Sequence, residues 1–342
     1  MFLNPYDRDN RDLILNLYKE IITKYDIDGI HLDYIRFPEY NFNTYDYGYN
    51  EDIIEGFKEK YNTSLNPKSL TKGTEMHDKW CKFREDIINS WVEEIYNLVI
   101  HTKPGLWISA ACYPDVENAS KTIFQNVSDW VDNGWIDEVF SMTYSANNDY
   151  VIENAKLFEN IVKDKAFYSV GISAFGTTNE YDFVTQLDII RDIGADGSAI
   201  FSLGNITPEN YGRFIVEGSY SKKSIQTYLL EKTVSTGLND ILHKLDVIYD
   251  FGNALFTSDI TKKINEIISK SDNFNSSNST IDQKFSYANK TIVDLNHLIN
   301  IVNEYKINPE IDQEKLKAIE DDFRVLLRYI TKTKNRLNAR LT

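Results

Sequence analysis

The sequence is poor in cysteine and in positive charge, and each shortage closes off a class of function. Its two cysteines, Cys81 and Cys112, show no CxxC spacing, which excludes a disulfide framework and reads as a pair of buried thiols. With 37 basic against 52 acidic residues the formal charge is −15, which opposes attraction to nucleic acid or to an anionic membrane surface. No run of eighteen apolar residues is present, so no membrane span is expected, and the opening stretch "MFLNPYDRDNRD" lacks the basic flank and apolar run of a signal peptide. No GxGxxG turn follows any candidate strand, which argues against a dinucleotide-binding sheet. Histidines number five, and of these only His31 falls on a candidate strand, which disfavours a binuclear metal centre.

What the chain does have is apolar bulk: 342 residues, 42% hydrophobic and 13% aromatic, enough to bury one large core and a smaller one. From residue 10 to about residue 205 helical and strand patterns alternate. "RDLILNLYKEIITKY", with Leu13, Leu17, Ile21 and Ile22 at helical spacing, leads through Gly29 into "IHLDYI". Further helices lead into "LWISAACY", "EVFSMTYS", "AFYSVGIS" and "SAIFSLG", giving five short apolar strands, each preceded by a helix. Such alternation predicts a parallel sheet covered by helices, either doubly wound or a (β/α)8 barrel.

Beyond about residue 220 no convincing strand follows. Leu316, Ile319, Phe323, Leu326, Ile330 and Leu337, with Thr333 at the remaining seam position, and upstream Leu295, Leu298, Ile299 and Val302, form single helical faces. Residues 221–342 are expected to form an antiparallel helical bundle or coiled-coil hairpin, with a spacer or self-association role.

Chemistry concentrates in "YDIDGIHLDYIRFPEY", residues 25–40. Side chains alternate along a strand, so His31 and Asp33 share one face while Ile30, Leu32 and Tyr34 share the other. In a barrel the apolar set would face the helices and Asp33 would point inward near the carboxyl end of the strand, where barrel active sites are built. The structural alternative is an Asp33 that pairs with Arg36 or His31 and only holds the loop.

The string "DGIHLDYIRFP" closely resembles the fourth-strand signature of the glycosyl hydrolase-like 10 family of barrel enzymes. "FLNPYDRDNRDLI" resembles the family's NP turn and following helix, "KWCKFREDII" its Trp- and Arg-containing helix, "IDEVFSMTYS" its sixth strand and "DGSAIFSLGNI" its eighth, so the resemblance extends over roughly residues 1–215. Met142 departs from it, standing where a polar residue is common. The resemblance implies an α/β fold: a partial (β/α)8 TIM barrel, strands four to eight, over residues 1–220, followed by the α-helical domain. At about 30 residues per βα unit, three units would be missing ahead of Met1. The expectation is an amino-terminal truncation, or a chain that needs a complementary partner.

Glycoside hydrolysis ordinarily uses two carboxyl groups. Asp33 is the candidate for one, as nucleophile or base, and Asp115, just after "AACYP", is the candidate for the second, with Glu39 and Glu180 as rivals. His31, Tyr34, Arg36, Tyr113 and Tyr144 are expected to contact substrate, together with the tyrosine-rich segment holding Tyr40, Tyr45, Tyr47 and Tyr49, because tyrosine offers an apolar face and a polar tip to a sugar. No cofactor and no metal are expected, and the implied ligand is an oligo- or polysaccharide, bacterial cell-wall glycan among the candidates, met outside the cytoplasm or at the cell surface. Two other readings stay open: a metal-dependent barrel hydrolase liganded by His31 and Asp33, and a non-catalytic carbohydrate-binding or scaffold protein built on an incomplete barrel.

Overall fold

The computed structural model describes the chain except residues 1, 40–45, 176–178, 219, 222–223, 228, 251–253, 309 and 342. Two compact units divide it, Met1–Ser221 and Lys222–Thr342.

The first unit alternates helix and strand. In chain order it runs α1 (Arg8–Lys24), β1 (Gly29–Leu32), α2 (Glu51–Tyr61), α3 (Glu75–Thr102), β2 (Trp107–Cys112), α4 (Val116–Thr122), α5 (Val127–Asp132) and β3 (Glu138–Met142). It continues with α6 (Asn148–Val162), β4 (Phe167–Ser173), α7 (Glu180–Ile193), β5 (Gly197–Phe201) and α8 (Tyr211–Glu217). The strands pair in parallel in simple chain order, β1-β2-β3-β4-β5, a singly wound succession without the order reversal of a doubly wound sheet. Register places His31 beside Ser109, Ser109 beside Glu138, Ala111 beside Phe140, and Met142 beside Gly171, which stands beside Ala199.

Alternation then sorts the two faces. Ile30, Leu32, Ile108, Ala110, Val139, Val170 and Ile172 are buried in one core with Ile88, Val92, Phe158 and Phe183 from the covering helices. The other face carries His31, Ser109, Glu138, Phe140, Met142 and Ser169. Side-chain caps start the helices: Asp7, Thr74, Asn147 and Asn179 each accept a backbone N–H at a helix start.

Acids that immediately precede strands pin the register. The Asp137 carboxylate accepts the Ile108 amide at 2.7 Å, and the Asp137 amide donates back to the Ile108 carbonyl at 2.7 Å. Asp196 repeats the device, taking the Tyr168 amide at 2.8 Å and donating to its carbonyl at 2.9 Å. Both pins sit at the amino end of the sheet.

Three expectations change. Tyr34 does not continue the apolar face of Ile30 and Leu32: the strand stops at Leu32, and Tyr34 adopts φ 55°, a left-handed turn that leaves its side chain exposed. Of the α1 stripe only Ile22 is buried; Leu13, Leu17 and Ile21 face outward, because α1 packs on α3 through its other side. Cys112 is buried as expected, whereas Cys81 is only half-buried on α3, its sulfur 3.8 Å from His77 Nδ1.

The second unit consists of α9 (Leu230–Asp250), α10 (Ala254–Asp272), α11 (Ile281–Tyr305) and α12 (Gln313–Ala339). Each helix packs on the next and α12 returns to α9, which closes a four-helix bundle. The core holds Leu295, Leu298, Ile299 and Val302 against Leu316, Ile319, Phe323, Leu326 and Ile330. Thr280 and Gln283 form a reciprocal capping box at the start of α11. Glu320, buried on α12, pairs with Lys306 and Arg324. Among the described residues no helix is long and apolar enough to cross a membrane.

Candidate active site at the carboxyl rim of the sheet

Asp33 follows β1 directly, exposed on the face away from the helices, and its Oδ1 accepts the Tyr34 amide at 2.8 Å. The left-handed turn at Tyr34 makes that short bond and swings the following chain off the sheet. Arg36 therefore does not pair with Asp33. It is buried at 8% exposure, donates to Glu39 at 3.0 Å, and lies 4.8 Å from the Tyr34 ring and 5.9 Å from the Tyr113 ring.

One strand level below Asp33, His31 Nδ1 stands 2.9 Å from Ser109 Oγ, with Phe140 edge-on to its ring at 5.3 Å. Partial desolvation holds the His31 imidazole below its usual range, and the Asp33 charge pulls in the opposite direction. His31 is thus a neutral polar group beside Asp33 near neutral pH. Tyr144 lies just beyond β3; burial raises its phenol, and the field of Asp33 raises it further, which brings the two groups into one electrostatic neighbourhood.

Asp115 is placed differently. It is exposed just beyond β2 and caps α4, its Oδ1 accepting the Asn118 amide at 3.0 Å. Its charge acts on Lys121 and Tyr150, whereas that of Asp33 acts on His31 and Tyr144. Of the rival acids, Glu39 is committed to Arg36 and Glu180 lies in the first turn of α7. Tyr113 is anchored at the rim by its amide, which donates to the buried Gln125 at 2.7 Å. Tyr49 packs against Trp80 and bonds Asp46 at 3.0 Å, a structural position, while Tyr47 is exposed. Tyr40 and Tyr45 lie outside the described residues.

Several residues escaped sequence reasoning. Arg84, 1% exposed, lies 4.1 Å from the Phe124 ring and 4.8 Å from Trp80, donates to Asp46 at 2.7 Å and to the Tyr47 carbonyl at 2.8 Å. It thereby fastens the segment after the signature to α3. Glu138 projects onto the same face as Asp33, but from the amino end of β3, where it accepts Ser169 Oγ at 2.7 Å. Phe175 and Phe201 join Tyr144 at the rim; their signal in the sequence was position alone, Phe201 at the end of an apolar strand and Phe175 just past one.

A cleft of about 630 Å³ opens beside this rim, lined in part by Asn4, Arg11, Tyr34, Arg36, Tyr47 and Trp91. Among the described residues its lining includes no carboxylate. Among the described residues no three His, Cys, Asp or Glu side chains come together as a metal site.

The family model for glycosyl hydrolase-like 10 proteins matches residues 1–183, more than half of the chain, ending within α7 and ahead of β5. No curated protein matches the chain.

Proposed function

The chain belongs to the glycosyl hydrolase-like 10 family, and on that premise we propose that it hydrolyses glycosidic bonds of a polysaccharide through Asp33. The observation that carries this reading is the placement of Asp33: an exposed carboxylate at the carboxyl end of a parallel strand and above His31, with a charge that reaches both His31 and Tyr144. A carboxylate on a solvated rim, with its one short bond from a backbone amide, suits attack on an anomeric carbon or activation of water. Tyr34, Tyr113 and Tyr144 border it as sugar contacts, and Arg36 acts from below, holding the two rings that it touches.

Asp115 is the proposed second carboxyl group. Asparagine caps a helix as well as aspartate, so Asp115→Asn removes the carboxyl chemistry while sparing α4.

Reducing-end release from a panel of cell-wall and plant glycans tests the reading. Wild type is expected to release sugar, Asp33→Asn to lose about 100-fold or more of that rate, and Asp115→Asn to lose rate only if it is the partner. Full activity in Asp33→Asn would leave Asp33 with a structural role. The separate neighbourhoods of Asp33 and Asp115 favour one rival: a carbohydrate-binding protein without catalysis, which would show glycan binding and no release by any variant.

A further inference from the structure

We propose that Tyr144, Phe175 and Phe201 form a stacking platform beside Asp33 for the C–H face of an uncharged, equatorially substituted pyranose, as in a β-1,4-linked glucose or N-acetylglucosamine chain. This deepens the glycan-acting reading above and rests on it.

Register explains how the three rings meet. Met142 pairs with Gly171 and Gly171 with Ala199, so Tyr144, Ser173 and Phe201 stand at one level two residues further on. Tyr144 comes from β3 and Phe201 from β5, with β4 between them, and parallel strands lie about 4.8 Å apart. The rings nevertheless stack at 5.2 Å with planes 21° apart, closing over the small residues of β4. Gly171 permits this: a Cβ there would press on the Ser141 carbonyl and come within 3.2 Å of Tyr144 Cε1. Phe175 then meets both rings edge-on, each at 6.1 Å.

Three packed rings on a surface ordinarily bury one another. Here Tyr144 is 37% exposed, Phe175 40% and Phe201 53%, so the cluster keeps open area toward solvent. The inward positions just below it are Met142, Gly171 and Ala199, which offer no side-chain hydrogen bonds. The polar tip of the cluster is the Tyr144 hydroxyl, on the side that feels Asp33. A part-exposed aromatic cluster with one polar corner offers ring surface to a sugar whose axial positions all carry hydrogen, since such a sugar is apolar on its faces and polar at its edge. Charge selects further: the 36 acidic against 19 basic residues of this unit disfavour a polyanionic glycan. Phe201 lies beyond the stretch matched to the family, so its place in the platform comes from this chain's own geometry.

The test is calorimetric titration of the full-length Asp33→Asn chain with cellotetraose, the β-1,4 tetramer of N-acetylglucosamine, and maltotetraose as the α-linked control. One of the two β-linked tetramers is expected to bind more tightly than maltotetraose. Phe201→Leu and Phe175→Leu, which keep an apolar side chain, are each expected to weaken that binding about tenfold, and Phe201→Trp to preserve it. Unchanged far-ultraviolet circular dichroism verifies the fold of each variant. Undiminished binding in both leucine variants overturns the platform, as does equal or better binding of maltotetraose, or no binding of either β-linked tetramer. The two readings separate cleanly: platform-dependent binding without cleavage by wild type sinks the hydrolase and keeps the platform, whereas cleavage with unaltered KM in Phe201→Leu does the reverse.

Discussion

The two units divide the chain's charge and its aromatic residues very unequally. Residues 1–221 carry 36 acidic and 19 basic side chains and all five tryptophans, whereas residues 222–342 carry 16 acidic and 18 basic side chains and no tryptophan. The net charge of −15 is therefore a property of the sheet unit, and the bundle is close to neutral. Polar contacts differ in kind as well. In the sheet unit a buried guanidinium, Arg84, is wrapped in rings and holds a loop, while in the bundle Glu320 is served by an exposed cation, Arg324 at 56% side-chain exposure, and a half-buried one, Lys306 at 35%. A whole-chain average conceals this: the charge argument against anionic partners applies to the unit that carries the candidate site.

Arg84→Ala is expected to act most strongly, removing about 3–5 kcal/mol from the sheet unit, since Asp46 and the Tyr47 carbonyl lose a buried partner. Tryptophan fluorescence reads that unit alone. Its urea midpoint should fall while the helical signal of the bundle persists; a coincident loss of both would merge the two units into one cooperative body. Glu320→Gln works on the opposite side of the comparison and should cost about 1 kcal/mol, without moving the fluorescence midpoint. Bonding to Lys306, helped by Arg324 and opposed by burial, holds the Glu320 carboxyl below its usual range. The lowered value stabilises the bundle above the ordinary glutamate pKa, and that contribution is lost as pH falls through the depressed one. Glu320→Gln should accordingly flatten the acid limb of bundle stability between those values, and an unchanged limb would assign acid sensitivity elsewhere. The smallest effect is expected at His31. Asp33 raises its pKa against desolvation, so Asp33→Asn should move the His31 titration further down, measured by the ring-proton shift on NMR. An upward or absent shift would place the two groups out of electrostatic reach.

Much of the architecture was legible because period alone encodes it. The strands were visible as short apolar runs after helices, and the seam from Leu316 to Leu337 is buried throughout, Thr333 included. Asp33 was legible from a local string. Tyr34 was not: alternation assumes an extended backbone, and a φ of 55° at a non-glycine residue leaves no periodic trace. The rim cluster of Tyr144, Phe175 and Phe201 depends on register between three strands and on the bare backbone of Gly171, which are long-range facts. Arg84 and Asp46 are separated by 38 residues, so their pairing was equally silent.

The carboxylate pins at Asp137 and Asp196 have one more implication. Because they fasten neighbouring strands at the end of the sheet opposite Asp33, strand alignment is secured away from the proposed ligand-facing rim. Frame and working edge are physically decoupled. Loops and rings along that edge are consequently open to replacement, by selection or by design, without disturbing the alignment that positions them.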